Sequence, residues 1–330
     1  MSGGLFGDAG GLAAAEVPAE LHALASDLDR RFRGRLHLGT SSWSFPGWNG
    51  LVWGRAYGES TLAKRGLTAY ARHPLLRTVS LDRAFYRPLE AAAYTGFAAQ
   101  VPEGFRFIVK APALVTDATV RDPANGKALR ANPLFLDPRV ALAEAVTPAV
   151  QGLGPAFGVL VFQLSPLPLE WLADEAAFHA RLDALWRAVV PALPASARAA
   201  LEVRDPELLT PALAKLLQRH GVRYCAGLHD RMPPVSTQLP MLRAMWPGDL
   251  VCRWNLQRGL RYAQAKGLWE PFDRIQAPDL PTREALARVI AGTLAAGFDA
   301  YVGINNKAEG SAPCSVIELA REVLRQAPAD

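Results

Sequence analysis

The chain alternates short apolar runs with amphipathic segments, and this alternation limits the fold more than any other feature. Eight runs rich in β-branched or aromatic residues end in polar residues, and they cover 35–43, 77–86, 105–113, 157–165, 199–205, 223–230, 250–255 and 300–306. Runs of this kind are typical of buried strands. Eight strands alternating with helices predict an α/β fold, a single-domain (β/α)8 TIM barrel. Periodicity does not show closure, so a doubly wound open sheet is the alternative.

Between these runs, apolar residues recur three or four positions apart, as they do on the buried face of a helix. One such segment also carries signals for both of its ends. Thr210 is a suitable N-cap, Pro211 suits the first helical position, and Gly221 stands where many helices end in a left-handed residue. Together with the spacing of Leu213 and Leu217, these residues predict a helix between Thr210 and Gly221.

The composition indicates a large globular domain with little net charge. Half of the residues are hydrophobic, which is enough for a sizeable core. We expect residues 1–34 to form a partly mobile N-terminal extension and residues 35–330 to form the barrel domain. The 36 basic and 31 acidic residues leave a net charge of +5. This balance permits an anionic ligand but lacks the concentrated basic face of a dedicated nucleic-acid binder.

The cysteines and the N-terminus predict a cytoplasmic protein. Cys225, Cys252 and Cys314 are odd in number and far apart, so they form neither a disulfide framework nor a zinc-binding pair. Residues 1–20 lack the basic start and the continuous apolar run of a signal peptide. No segment is long enough to span a bilayer, so we expect no membrane partner. The sequence does not indicate an oligomeric state.

Polar residues at the ends of the predicted strands are the candidate site, because the sites of such barrels lie at the carboxyl ends of the strands. Those expected to bind a substrate are Trp43, Tyr86, Lys110, Gln163, Arg204, Arg253, Asn305 and Asn306. Those expected to support them are Asp82, Asp205, His229, Asp230 and Asn255.

The charges among these residues suggest two interpretations. Side chains two positions apart share a face of a strand, so Glu202 and Arg204 point to the same side. In the functional interpretation, Lys110, Arg204 and Arg253 bind a phosphate or carboxylate, and Glu202 is the catalytic acid/base. In the structural interpretation, the same charges form an ion pair that closes the top of the barrel.

The sequence indicates no particular cofactor. It contains no zinc motif, P-loop or nucleophile elbow, and the glycine-rich stretch 152–158 precedes a strand instead of following one. A divalent metal such as magnesium, held by Glu202, Asp205 or Asp230, stays open.

The loop 41–54 carries three tryptophans, which either pack in the core or stack on a ring or nucleic-acid base. Three functions are therefore compatible with the sequence. One is an enzyme that acts on an anionic small molecule, and another is a protein that processes or binds nucleic acid. The third is a non-catalytic protein that binds a ligand or a partner.

Several blocks are similar to those of one known family. "LGTSSWSFPGWNG", "FYRP", "GFRFIVKAP", "LVFQL", "EVRDPELL" and "YVGINNKAEGSAPCSVIEL" resemble, in order, the blocks of the YecE-like family, or domain of unknown function 72, over roughly residues 36–325. The resemblance implies a TIM barrel whose activity is not established. The family pattern is kept at Trp43, Phe85, Tyr86, Lys110, Gln163, Glu202, Arg204, Arg253, Asn305 and Asn306.

The chain departs from the family at other strand ends. The family usually has a glutamate and an asparagine where this chain has Ser80 and Asp82. It tends to have histidine at the positions of Asp117, Asp205 and Asn255. These replacements imply a divergent member without histidine-based chemistry at those three positions.

Overall fold

The computed structural model describes residues 11–122 and 126–327, and its centre is a closed barrel of eight parallel strands. In chain order the strands are Leu36–Thr40 (β1), Thr78–Leu81 (β2), Arg106–Lys110 (β3), Thr119–Arg121 (β4), Ala128–Ala131 (β5), Phe157–Gln163 (β6), Arg198–Glu202 (β7), Arg223–Leu228 (β8), Leu250–Trp254 (β9) and Ala300–Ile304 (β10). Around the barrel they follow the order β1-β10-β9-β8-β7-β6-β3-β2. The predicted single-domain (β/α)8 barrel is confirmed, and the open sheet is excluded because β1 pairs with β10.

Helices surround the barrel and connect its strands. They are Ala19–Phe32 (α1), Glu59–Arg65 (α2), Leu67–Tyr70 (α3), Arg83–Tyr86 (α4), Ala91–Ala98 (α5), Ala113–Thr116 (α6), Pro138–Ala141 (α7), Thr147–Leu153 (α8), Leu169–Ala173 (α9), Glu175–Ala192 (α10), Pro211–His220 (α11), Val235–Ala244 (α12), Tyr262–Trp269 (α13), Leu280–Ala295 (α14) and Ala312–Gln326 (α15). Within the described ranges, no helix is both long enough and apolar enough to cross a membrane.

Helix α11 begins and ends where the sequence predicts. The Thr210 hydroxyl accepts a hydrogen bond from the Leu213 amide at 3.1 Å, and Gly221 has a left-handed φ of 67°. Leu213 and Leu217 are fully buried. The helix therefore follows from local signals at its ends and from one apolar face.

Two short elements differ from the sequence-based expectation. Strands β4 and β5 form a separate antiparallel pair, which was missed because they are only three and four residues long and β5 is fully exposed. The predicted run 77–86 stops being a strand at Leu81 and continues as helix α4, so Tyr86 lies on a helix.

The barrel interior is built in layers along the strands. A small apolar cluster fills its middle and consists of Ile108, Val159, Val161, Ala200, Cys225, Val251 and Tyr301. Because side chains alternate along a strand, residues two positions further on also face the interior, nearer the carboxyl ends. They are Lys110, Gln163, Glu202, Gly227, Arg253 and Gly303. A polar layer thus lies directly above the apolar layer.

Helix α1 lies within the predicted N-terminal extension and contacts α15 and β1. Its residues Leu21, Leu28 and Phe32 are buried in the large cluster between barrel and helices. The first ten residues of that extension lie outside the described residues. The division at residue 34 stays a prediction.

Candidate active site

The polar layer at the barrel mouth is centred on Glu202, at the end of β7. Its side chain is fully buried. Oε1 lies 2.6 Å from Arg204 Nη2, and Oε2 lies 2.6 Å from Arg253 Nη1. Asn255 also donates from Nδ2 to Oε1 at 3.3 Å. On β8, Gly227 leaves space for this carboxylate, since a Cβ there would lie 3.0 Å from Oε1.

Arg253 connects Glu202 to the opposite side of the barrel. Its Nη2 donates to both carboxylate oxygens of Asp82 at 2.8 Å, and its Nη1 also donates to Gln163 Oε1 at 3.2 Å. Asp82 Oδ1 accepts a further hydrogen bond from the Ser80 hydroxyl at 2.6 Å. Both terminal nitrogens of Arg253 are therefore engaged by the protein itself.

The neighbouring cations keep the side chains of Glu202 and Asp82 in the charged carboxylate form. Burial raises the pKa of Glu202, but the charges of Arg204 and Arg253 outweigh burial and hold this pKa below its ordinary value. Asp82 behaves in the same way: burial raises its pKa, whereas Arg253 and Lys110 bring it below the ordinary value. Both groups are thus carboxylates at neutral pH.

This geometry argues against the expected role of Glu202 as the catalytic acid/base. Glu202 lies beneath the mouth cavity and not in its wall. Both of its oxygens are hydrogen-bonded to arginines, and a carboxylate with a lowered pKa is a poor proton carrier near pH 7. The contacts agree with the structural interpretation, in which an ion-pair layer closes the barrel.

A cavity of about 310 Å³ opens directly above this layer. Its lining consists of Asp82, Phe85, Tyr86, Lys110, Gln163, Ser165, Pro166, Arg204, His229, Arg231, Arg253, Asn255, Tyr262 and Asn305. We call this space the mouth cavity. Nine of the thirteen residues expected to bind or support a substrate line it.

Lys110 differs from the other charged residues of the cavity wall. It is 7% exposed, and among the described residues it forms no ion pair. Its Nζ instead lies 3.5 Å from the centroid of the Phe85 ring. Burial, followed by the charge of Arg253, lowers the pKa of Lys110 to about 8.

Arg204 also keeps a donor that the protein does not use. Nη2 donates to Gln163 Oε1 at 3.1 Å in addition to its contact with Glu202. Nη1 is buried and has no hydrogen-bond partner among the described residues. The charged groups of the layer are the cations Lys110, Arg204 and Arg253 and the carboxylates of Asp82 and Glu202. Asp117, which also interacts with Lys110, lies outside the cavity lining and pairs with Arg121 at 3.9 Å. The layer therefore carries one positive charge in excess while Lys110 is protonated.

His229 is a neutral base in the cavity wall. Burial, then the charge of Arg204, lowers its pKa to about 4, so its imidazole is uncharged near pH 7. Its Nδ1 contacts the Asp230 carboxylate. Asn305, also in the wall, donates from Nδ2 to the Ser41 hydroxyl at 2.7 Å.

Four of the expected site residues do not line the cavity, namely Trp43, Asp205, Asp230 and Asn306. Trp43 is 1% exposed and donates from Nε1 to the Leu62 carbonyl at 3.0 Å. Asn306 Oδ1 accepts from Trp48 Nε1 and the Ala312 amide. Asp205 accepts from the Leu167 amide. The side chains of Trp43, Asn306 and Asp205 thus hold loops together beside the mouth.

Sequence reasoning missed other residues of the wall, among them Ser165 and Arg231. The two-residue period extended by one step finds both, since Ser165 follows Gln163 and Arg231 follows His229 at that spacing. Tyr262, which begins helix α13 in the loop after β9, belongs to the aromatic and basic stretch 253–272, a candidate from the sequence for a lid over an anionic ligand.

The described residues contain no group of three or more His, Cys, Asp or Glu side chains that could hold a metal ion. Of the carboxylates considered for magnesium, Glu202 is saturated by arginines, and Asp205 and Asp230 lie outside the cavity lining.

Comparison with known proteins identifies the family. No curated protein matches the chain. A DUF72 family protein from Thermotoga maritima MSB8 has a similar structure, with a TM-score of 0.57, 16% identity and coverage of 87% of this chain and 98% of that chain. A DUF72 family protein from Enterococcus faecalis V583 has a TM-score of 0.53 and 14% identity, with coverage of 88% and 97%. At such identities the likeness shows the fold alone.

The family model described as "Protein of unknown function DUF72" matches residues 37–329, which is almost the whole chain. The resemblance seen in the sequence blocks is thereby confirmed. This chain belongs to the DUF72 family.

Proposed function

We propose that the mouth cavity binds a small anionic metabolite, bearing a carboxylate or a phosphate, and that the protein is an enzyme acting on it. One observation carries this proposal: Lys110 is buried in the cavity wall and forms no ion pair with a carboxylate in the part of the chain that the structure describes. Burying an unpaired charge is costly, so such a charge is a sign of a missing counter-ion.

The surroundings of Lys110 support an anion as that counter-ion. The polar layer holds one positive charge in excess, and Arg204 Nη1 is a buried donor that has no partner in the described ranges. A carboxylate or phosphate oxygen would supply both the missing charge and an acceptor. The cavity volume of about 310 Å³ suits a small metabolite.

Two features favour an enzyme over a simple binder. The cavity lies at the carboxyl ends of the barrel strands, where the active sites of TIM-barrel enzymes are found. Its wall also contains Lys110 and His229, whose pKa values of about 8 and about 4 depart strongly from the ordinary ones. Perturbed groups in a cleft are characteristic of functional sites.

The nucleic-acid alternative loses base stacking, one of the two features on which it rested; the other is contact between arginines and the phosphate backbone. The three tryptophans of the loop after β1, Trp43, Trp48 and Trp53, are at most 1% exposed and have no free face for a base. A cytoplasmic location accords with Cys225, Cys252 and Cys314, which are all free thiols.

A thermal-unfolding screen with small anions tests this function. The probes are oxalate, malonate, inorganic phosphate and 3-phosphoglycerate, and the proteins are the wild type, Lys110→Met and the exposed-site control Lys215→Met. Lys110→Met leaves two arginines opposite two carboxylates, so the layer stays balanced. At a hundredfold excess over its dissociation constant, a bound anion adds about 2.7 kcal/mol of stability. We expect at least one probe to stabilise the wild type and the control but not Lys110→Met. Failure of every probe, or equal stabilisation of Lys110→Met, would refute the proposal.

A further inference from the structure

We propose that Lys110 is a nucleophile that forms an imine with a carbonyl-bearing anion, either a 2-oxo acid or a phosphorylated aldehyde or ketone. This inference rests on the anion-binding function proposed above and names the substrate class and the covalent step. The geometry that carries it is the position of an amine at the end of β3, in the wall of an anion-compatible cavity and unpaired with any described carboxylate.

The contacts of Lys110 leave its amine available for reaction. An ion pair would stabilise the ammonium and occupy its hydrogen atoms, but the contact present is with the face of the Phe85 ring. A contact of this kind is worth about 0.5–2 kcal/mol. Removing one partner of a buried ion pair costs about 3–5 kcal/mol, so the ring holds the ammonium less strongly than a carboxylate would. The Phe85 ring therefore positions Nζ without fixing it in the charged form.

Burial also makes the neutral amine accessible near physiological pH. With a pKa of about 8, roughly a tenth of Lys110 is neutral at pH 7. An ordinary lysine with a pKa of about 10.4 is neutral in only roughly one molecule in 2,500 at that pH. Only the neutral amine attacks a carbonyl carbon, so Lys110 has a large advantage over ordinary lysines.

The proposed step balances without any redox partner. The lone pair of Lys110 Nζ forms a bond to the carbonyl carbon and gives a carbinolamine. The former carbonyl oxygen then leaves as water and takes both hydrogen atoms of the amine, which produces a carbon–nitrogen double bond. His229 lines the same cavity, but with a pKa of about 4 it is a weak base near pH 7, so water is the carrier for the protons that pass from nitrogen to oxygen in this step.

We place the anionic group of the substrate beside Arg204. This residue lines the cavity, and its buried Nη1 has no hydrogen-bond partner among the described residues. In a 2-oxo acid the carboxylate is bonded directly to the carbonyl carbon, so the small cavity can hold both groups. This arrangement predicts that a carbonyl compound needs its negative charge to react efficiently.

Reductive trapping followed by peptide mapping tests the inference. The intact protein is incubated with glyoxylate, pyruvate or glyceraldehyde 3-phosphate in the presence of cyanoborohydride, which reduces an imine to a stable secondary amine. Acetaldehyde is the matched probe without a negative charge. Lys307 is the matched lysine, because it is also buried and burial, then Lys266, lowers its pKa to about 8, but it faces a different cavity.

We expect an adduct on Lys110 with at least one anionic probe, at least tenfold above the adduct on Lys307 and on exposed Lys215. Acetaldehyde should not show this preference. With an anionic probe at a saturating concentration, so that weaker binding at high pH does not limit the reaction, the rate at Lys110 should increase about tenfold between pH 7 and pH 9, compared with about a hundredfold for a lysine of ordinary pKa. In Lys110→Met, the other lysines should be labelled as in the wild type.

The outcomes separate this inference from the function on which it rests. If oxalate, malonate or a phosphate stabilises the wild type but not Lys110→Met, and no anionic carbonyl probe gives an adduct on Lys110, the imine is overturned and anion binding stands. Equal labelling of Lys110 and Lys307, or equal labelling by acetaldehyde, also overturns it. If no anion stabilises the wild type, the proposed function itself fails.

Discussion

At the scale of single residues, the charged groups at the barrel mouth are of two kinds: those that form ion pairs within the protein, and those that have no partner among the described residues. Glu202 and Arg253 lie in a buried network in which each finds its partners within the chain. Lys110 and one nitrogen of Arg204 have no such partner among the described residues. The first pair therefore maintains the shape of the site, and in the proposed function the second pair provides its affinity for anions.

Glu202→Gln should be strongly destabilising, because it removes the carboxylate between two buried guanidinium groups. Breaking a buried ion pair by removing one partner costs about 3–5 kcal/mol. The matched control is Glu284→Gln, since Glu284 forms an exposed pair with Arg288 at 3.6 Å, a type of pair worth about 1 kcal/mol or less. Urea unfolding measures both free energies. A loss at Glu202 no larger than at Glu284 would show that the network does not close the barrel.

The affinity for an anion should fall as the pH rises through about 8. Lys110 is charged below its pKa of about 8 and neutral above it, so its attraction for an anion is present at low pH and lost at high pH. For oxalate, whose own charge is constant in this range, the dissociation constant should increase about tenfold from pH 7 to pH 9. Calorimetric titration gives this value, and Lys110→Met should show no comparable slope. A wild-type affinity independent of pH would contradict the role of Lys110.

The sequence allows only part of this site to be predicted. The two-residue period correctly places Glu202 beside Arg204, and Arg253 beside Asn255. It does not show that Arg253 pairs with Asp82, which is far away in the chain, and so it does not show that both terminal nitrogens of the arginine are occupied within the protein. The sequence also does not show that Glu202 is fully buried or that both of its oxygens contact arginines. From the sequence alone, Glu202 is therefore a reasonable candidate for a proton carrier.

At the scale of elements, predictions succeed where the signal is local. Helix α11 carries its N-cap, its apolar face and its terminal glycine within a dozen residues, and it forms as expected. Strands β4 and β5 are stabilised by pairing with each other and bury little, so no apolar pattern indicates them. Helix α4 likewise begins soon after β2, with only Asp82 between them.

Strand β1 depends on a glycine that permits a close approach to β2. A Cβ on Gly39 would lie 1.8 Å from the Thr78 carbonyl oxygen, so the two backbones would have to separate. Overpacking of this kind costs about 1–3 kcal/mol, and a clash with backbone should reach the upper end. Gly39→Ala should therefore lower the unfolding free energy by about 3 kcal/mol. Gly58→Ala is the control, since nothing lies within 4 Å of its added Cβ. Equal stability of the two variants would be the contrary result.

At the scale of the whole molecule, closure of the barrel brings distant parts of the chain together. Five residue pairs join β1 to β10, from Leu36 with Ala300 to Thr40 with Ile304. No local pattern encodes this pairing. It was predicted from the number of strands and from the family resemblance, because eight βα units are the number that closes a TIM barrel.

Helix α1 packs against α15 and β1, and its buried residues belong to the same hydrophobic core as the barrel. Phe32 is 4% exposed and belongs to the large cluster between barrel and helices. If the helix unfolds together with the barrel, Phe32→Ala should reduce the unfolding free energy by about 3 kcal/mol. Leu268→Ala, at a position that is 63% exposed, is the control. A loss confined to a separate early transition would show instead that α1 is independent of the barrel.

The central claim is that an anion binds at the barrel mouth between Lys110 and Arg204, and an anomalous difference map tests it most directly. Crystals soaked in selenate give a strong signal wherever this anion binds. We expect a peak in the mouth cavity within hydrogen-bonding distance of Lys110 Nζ and an Arg204 nitrogen, and no such peak in crystals of Lys110→Met. Selenate bound elsewhere on the wild-type protein, with no peak in the mouth cavity, would contradict the claim.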